Sequence, residues 1–208
     1  RGEGAETGQA DLALRYDVTV PLARVVAEYR AKLPKFFKRY QIQPVWRADR
    51  PQKGRFREFY QCDVDAIGST SMTVEAEILS AAADVLLRLG FKDFRIRLNH
   101  RQLLTAMLQV AGIPDTLHTT ALVALDKLDK LPAESVEAEL VSRGANVEAA
   151  RDLMEMAQLG QDVLTQAGNR LMADPFGTKA IVDLNEILRL TESTSAAGRV
   201  RVDLTLAR

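Results

Sequence analysis

From Arg39 to Gly68 the side chains alternate in character with a period of two, break over a cationic stretch, and alternate again. A strand sends successive side chains to opposite faces, so the pattern predicts two strands joined as a hairpin. In the first arm Tyr40, Ile42, Pro44 and Trp46 share one parity, and Arg39, Gln41, Gln43, Val45 and Arg47 share the other. In the second arm Tyr60, Cys62, Val64 and Ala66 make a mostly apolar parity, and Gln61, Asp63 and Asp65 a polar one. A half-buried antiparallel strand ordinarily turns its polar side to water. The polar parity is therefore either a solvated sheet face or a face that meets a ligand. Cys62, on the apolar side, is expected in the core and not as a nucleophile.

The remaining periodicity is mainly helical. Leu12 to Thr19 reads as a short strand, and Pro21 opens a helix through Ala31 with Leu22, Val25, Val26 and Tyr29 along one stripe. A longer helix is expected over Thr73–Leu89, capped by Ser71 or Thr73 and stopped by Gly90. Phe94, Ile96 and Leu98 alternate with Arg95 and Arg97, as in a strand. Helical segments then follow at about 101–111, 115–130, 133–143, 147–158 and 176–190, with His100 and His118 near helix ends. Strand alternation returns only in Arg199–Arg208. The pattern predicts an α+β fold: an antiparallel core at 1–99, an all-helical insertion at 100–192, and a return strand at 193–208. A simple two-domain order would leave that last strand unpaired.

Composition narrows the class. The 208 residues are 47% hydrophobic and can bury a sizeable core, while 28 basic and 28 acidic side chains cancel, so no global charge points to nucleic acid or membrane. Local imbalance says more: Arg24 to Glu58 holds eleven Lys or Arg against Glu28, Asp49 and Glu58, enough to attract phosphates to that region. Within it, Arg47, Arg50, Lys53, Arg55 and Arg57 face the single acid Asp49, with Pro51 and Gly54 setting a turn. Guanidinium forks pair with phosphate oxygens, and Asp or Gln on the adjoining strand suits an ammonium or an imidazole N–H. One cysteine excludes an intrachain disulfide, and with only two histidines a Cys/His zinc site is implausible. No stretch approaches the ~20 apolar residues of a membrane helix. The polar, Gly-rich start without Met reads as the edge of an excised piece.

Three segments together carry a resemblance. VWRADRPQKGRFREFYQCDVDAIG resembles class II motif 2, LRYDVTVPLAR resembles an amino-acid-binding turn, and LTLAR resembles the entrance to a segment that normally continues Gly-Leu-Asp-Tyr-Tyr. Together they resemble the catalytic domain of histidyl-tRNA synthetase, a class II aminoacyl-tRNA synthetase. ALDKLDKL, in the helical stretch, is similar to a run in that family's insertion domain.

The resemblance implies a class II antiparallel sheet with flanking helices, incomplete at both ends: motif 1, motif 3 and an anticodon-binding domain are missing. It implies that Asp17 and Thr19 meet the substrate ammonium, Gln61 helps hold the amino acid, and Asp65 faces the imidazole. Arg47 matches the arginine on the α-phosphate of ATP, and Arg208 the histidine-specific arginine near the substrate carboxylate and α-phosphate. Asp49 falls on the adenine side, where many members carry Glu, and Arg55 is a further ATP or tRNA contact. The implied partners are L-histidine, ATP with Mg²⁺, and tRNA(His) through the helical insertion and the motif 2 loop, in a homodimeric cytoplasmic parent. A histidine-sensing regulatory subunit of ATP phosphoribosyltransferase shares the fold and is the nearest alternative. A catalytically silent interaction domain is the next.

Overall fold

The computed structural model describes residues 12–207 and divides the chain into two compact units, Arg1–Thr70 and Ser71–Arg208. Arg208 and the Gly-rich start lie outside the described residues.

The first unit holds α1 (Thr19–Tyr29) and two antiparallel strands, β1 (Phe37–Trp46) and β2 (Glu58–Ile67). The expected strand over Leu12–Thr19 does not form, and the helix begins two residues earlier than Pro21. Asp17 is the reason: its Oδ1 accepts the Val20 N–H at 2.9 Å, which satisfies a first-turn donor and bends the chain into helix. Pro21 then falls inside the first turn, where its missing N–H costs nothing. Of the expected stripe Leu22 is buried, while Val25 and Tyr29 are exposed. At the far end of the hairpin Gly68 has φ +102°, and a Cβ there would stand 2.0 Å from the Lys35 carbonyl oxygen. Only glycine fits that return.

The second unit runs α2 (Met72–Arg88), β3 (Ile96–Leu98), α3 (Arg101–Val110), α4 (His118–Leu125), α5 (Ala133–Ser142), α6 (Val147–Gln158), the short α7 (Val163–Gln166) and α8 (Gly168–Leu171), α9 (Pro175–Thr191) and β4 (Val200–Val202). Ser71 caps α2 through the Thr73 N–H, and Gly90 ends it in the left-handed region, as the sequence predicts. His100 caps α3, its Nδ1 accepting from the Gln102 N–H at 3.1 Å. The two one-turn helices between α6 and α9 lack any apolar period and were not expected. Leu103, Met107, Leu108, Leu125, Leu153 and Leu184 form one continuous core, with α3 laid against α9. Gly177 lets α9 pass close to the end of α8: a Cβ there would meet the Leu171 carbonyl oxygen at 1.9 Å.

The final strand differs from expectation. It spans three residues and pairs in parallel with β3, Ile96 opposite Val200. Parallel pairing is possible because the long helical stretch returns the chain to the same end of β3. Beyond β4, the Asp203 N–H donates to the Leu98 carbonyl at 2.9 Å and Asn99 Nδ2 to the Leu206 carbonyl at 3.0 Å. Arg97 holds Asp203, Thr205 and Asp129 together.

Candidate functional site

The hairpin register sets the geometry. Arg39 lies opposite Asp65, Gln41 opposite Asp63, Gln43 opposite Gln61, and Val45 opposite Phe59. These polar residues are the sheltered parity, while Tyr40, Ile42, Tyr60 and Val64 are exposed. The solvated-face reading of the polar parity is thus reversed. Cys62 is likewise exposed, and its expected place in the core is corrected.

The segment preceding α1 is tied to this polar face. The Trp46 N–H donates to the Arg15 carbonyl at 2.9 Å, the Arg15 guanidinium reaches the Gln43 side-chain oxygen, and Arg39 Nη2 donates to the Val18 carbonyl at 2.9 Å. Asp17 and Thr19 flank that carbonyl on either side. The turn expected to receive an ammonium is therefore fastened to the strand opposite the carboxylate expected to read an imidazole. Asp17 spends one oxygen on the Val20 N–H, so capping accounts for part of its role. Thr19 is exposed at the first position of α1.

Arg39 organises the face. Its Nε donates to Asp65 Oδ2 at 2.8 Å, and its Nη1 reaches the Gln41 side-chain oxygen; the Gln41 Nε2 passes the chain on to Gln43 Oε1 at 3.0 Å. Gln61 is the exception in this network. Its Oε1 is buried and has no hydrogen-bond partner, and a buried acceptor left unpaired is costly unless something else donates to it.

Beyond the strands the face becomes cationic. Arg47 lies over the Tyr16 ring at 4.7 Å and the Phe59 ring at 5.0 Å, with its Nε donating to the Tyr16 carbonyl at 3.3 Å. Stacking of this kind holds a guanidinium flat and leaves its terminal nitrogens available. Arg47, Asp49, Gly54, Arg55, Phe56 and Phe59 line a cavity of about 270 Å³. Arg55 Nε stands 4.0 Å from Asp49 Oδ2, both side chains being well exposed, and Arg57 Nε donates to the Asp49 carbonyl at 3.2 Å. The loop tip closes on Gln52 and Arg55 with Gly54 at φ +77°.

The structure thus gathers Asp17, Thr19, Arg47, Asp49, Arg55, Gln61 and Asp65 in one unit. Arg39, Gln41 and Arg15 are also part of this arrangement and were not singled out from sequence. Alternation puts Arg39 on the right parity, but a ladder extended from the Gln52–Arg55 bridge would set it opposite Gly68, three positions from Asp65. The signal was the face, and the partner needed the register.

The sequence pattern of the family described as "Histidyl-tRNA synthetase" matches residues 5–208. A histidine--tRNA ligase of Gloeobacter violaceus is 43% identical over 214 residues, covering 94% of this chain and 46% of that protein. One from Porphyromonas gingivalis is 44% identical over 198 residues, covering 94% of this chain and 43% of that protein. The crystal structure of histidyl-tRNA synthetase from Nostoc sp. PCC 7120 superposes with a TM-score of 0.82 at 27% identity, over 94% of this chain and 46% of that one. A Bacillus halodurans structure titled an ATP phosphoribosyltransferase regulatory subunit/histidyl-tRNA synthetase shares the fold, with a TM-score of 0.79 at 22% identity over 92% of this chain and 49% of its own. The chain spans a little under half the length of the curated relatives it matches. With a sheltered polar hairpin face running into a cationic loop, and with these likenesses across nearly its whole length, the chain belongs to the histidyl-tRNA synthetase family.

Proposed function

We propose that the full-length protein is a histidine–tRNA ligase, activating L-histidine with ATP and transferring it to tRNA(His), and that the hairpin unit carries most of the activation site within this chain. The observation that carries this reading is the continuity of the sheltered parity, from Asp65 and Arg39 through Gln61 and Gln43 to Arg47. An amino acid with a donor-rich ring and an ammonium fits its acid and amide end. A triphosphate fits its arginine end.

In the reaction the histidine carboxylate oxygen attacks the α-phosphorus of ATP in line. The new carboxyl–phosphate bond forms as the bond to the bridging α–β oxygen breaks, and pyrophosphate leaves with its electron pair. Negative charge gathers on the α-phosphate oxygens. Arg47, held flat between Tyr16 and Phe59, would meet that charge with little reorganisation. Arg208 is proposed as the second arginine there, and Asp49 and Arg55 as the adenine-side and outer phosphate or tRNA contacts. The unpaired Gln61 Oε1 would accept from the substrate ammonium alongside Asp17 and Thr19, and Asp65 would accept from the imidazole. Mg²⁺ would arrive with the ATP phosphates, and Asp49 is the one carboxylate lining the loop cavity. The helical stretch 100–192 is proposed as an insertion that, with the loop, meets tRNA, in a homodimeric parent working in the cytoplasm.

Histidine-dependent ATP–pyrophosphate exchange by the full-length protein tests the reading. Exchange that requires histidine supports it. Histidine binding without exchange overturns it in favour of a histidine-sensing subunit, and absence of both leaves only an interaction domain.

A further inference from the structure

Asp65 does not stand alone. Arg39 Nε donates to its Oδ2 at 2.8 Å, and the two side chains are only 14% and 26% exposed. The same guanidinium is committed on its other sides to the Gln41 side chain and, at 2.9 Å, to the Val18 carbonyl. Val18 is fully buried and joins Asp17 to Thr19. Arg39 therefore fixes Asp65 to the turn before α1, and it uses one carboxylate oxygen while leaving Oδ1 without a partner among the described contacts.

A bare carboxylate in a sheltered site attracts any cation, and attracts it more strongly than it attracts a neutral N–H. A carboxylate already paired to a guanidinium presents a dipole with an accepting oxygen and little net charge. Such a group selects a neutral N–H donor and gives a cation no advantage. From this geometry we infer that Arg39 is a positioning residue that makes the Asp65 site selective for the neutral imidazole of histidine over imidazolium and over cationic side chains. The inference rests on the histidine-binding reading above and adds the charge state of the ring. The other charged groups around the face are Asp63 on β2, Arg47 at its cationic end, and Arg15 and Asp17 in the segment before α1; the first turn of α1 carries no acid. Arg39 also ties down the turn that carries Asp17, so a loss of affinity common to every pH reports that tie, and the change of slope with pH is the readout that isolates the pairing with Asp65.

The test is histidine affinity by calorimetry on the full-length protein, from about pH 5.5 to about pH 7.5, for wild type, Arg39→Gln and Arg39→Lys. Wild type should bind about tenfold more tightly at the upper pH, following the neutral fraction of an imidazole with a pKa of about 6.5. Arg39→Gln should bind about tenfold more weakly at the upper pH, as expected for loss of a charge-assisted contact, and its pH dependence should flatten or reverse. Arg39→Lys, which keeps the positive charge but not the fork, should retain the wild-type direction. A merely structural role would weaken binding at every pH without changing the slope. Superimposable slopes for wild type and Arg39→Gln would overturn the inference. Exchange assays on the same preparations separate the two ideas: an altered slope without exchange defeats ligase activity and leaves the role of Arg39 standing, whereas absence of histidine binding in wild type defeats both.

Discussion

Arg97 grips Asp129 with both terminal nitrogens, at 3.0 Å each, and its Nε donates to Asp203 at 2.6 Å. Three stretches distant in sequence meet there: β3, the turn after α4, and the chain beyond β4. Thr205 completes the cluster, taking a bond from Arg97 at 2.7 Å and donating its hydroxyl to an aspartate. The two hydrogen bonds from Arg97 lead the factors that hold the Asp129 carboxyl below its ordinary range, and in turn the two aspartates raise Arg97. At Asp203 burial pushes upward, but the bonds from Thr205 and Arg97 outweigh it and the net direction is down.

Those directions fix the sign of an acid effect. A carboxyl lowered on folding contributes stability that is fully present above its unfolded value and is lost as pH falls through the folded one. Hydrogen-exchange protection at Asp203–Leu206 should therefore fall as pH drops below about 4, the ordinary aspartate range. Arg97→Gln should remove most of that acid dependence and lower protection at neutral pH, with a smaller effect at high salt because the cluster is partly exposed.

One substitution separates the bond of Asp17 to the Val20 N–H from its proposed contact with the substrate ammonium. Asparagine caps a helix about as well as aspartate, so Asp17→Asn should keep the Val20 bond and leave stability within about 0.5 kcal/mol. The lost charge should still raise the histidine KM in exchange about tenfold or more while the ATP KM holds. A fall in melting temperature with unchanged histidine KM would make Asp17 a cap alone.

Arg47→Lys keeps the charge but gives up the flat stack between Tyr16 and Phe59. Exchange kcat should drop on the order of 10²-fold with little change in thermal stability, measured at saturating histidine and ATP. An unchanged kcat would place the phosphate charge elsewhere.

Gly177→Ala sets helix propensity against packing. In an open helix the change would stabilise by about 1 kcal/mol. Here the added methyl lands 1.9 Å from the Leu171 carbonyl oxygen, so net destabilisation of about 1–3 kcal/mol is expected by denaturant unfolding. Leu184→Ala, a cavity in the same core, should cost about 2–5 kcal/mol.

Short-range signals were legible because they act through neighbouring residues. Ser71 capping α2, Gly90 ending it, His100 standing at a helix end and the two hairpin arms all depend on spacing of a few positions, and all appear in the structure. The family was legible too, since its motifs are local strings. Features that depend on distant partners were not. The strand expected at Leu12–Thr19 is a turn because Asp17 caps a helix, and β4 is parallel because some 100 residues of helix carry the chain around.

The sequence by itself determined the alternation of the hairpin, the cationic loop and the family. Tertiary structure decided which parity is sheltered. Local pattern says that polar residues go to water, but the Arg15–Val18 segment, tied down through Arg15, Arg39 and the Trp46 N–H, gives the polar side its partners and leaves Tyr40 and Tyr60 outside. It also decided that Asp65 is answered by Arg39, because the three-residue offset between loop tip and ladder sets the register and cannot be counted from the loop alone.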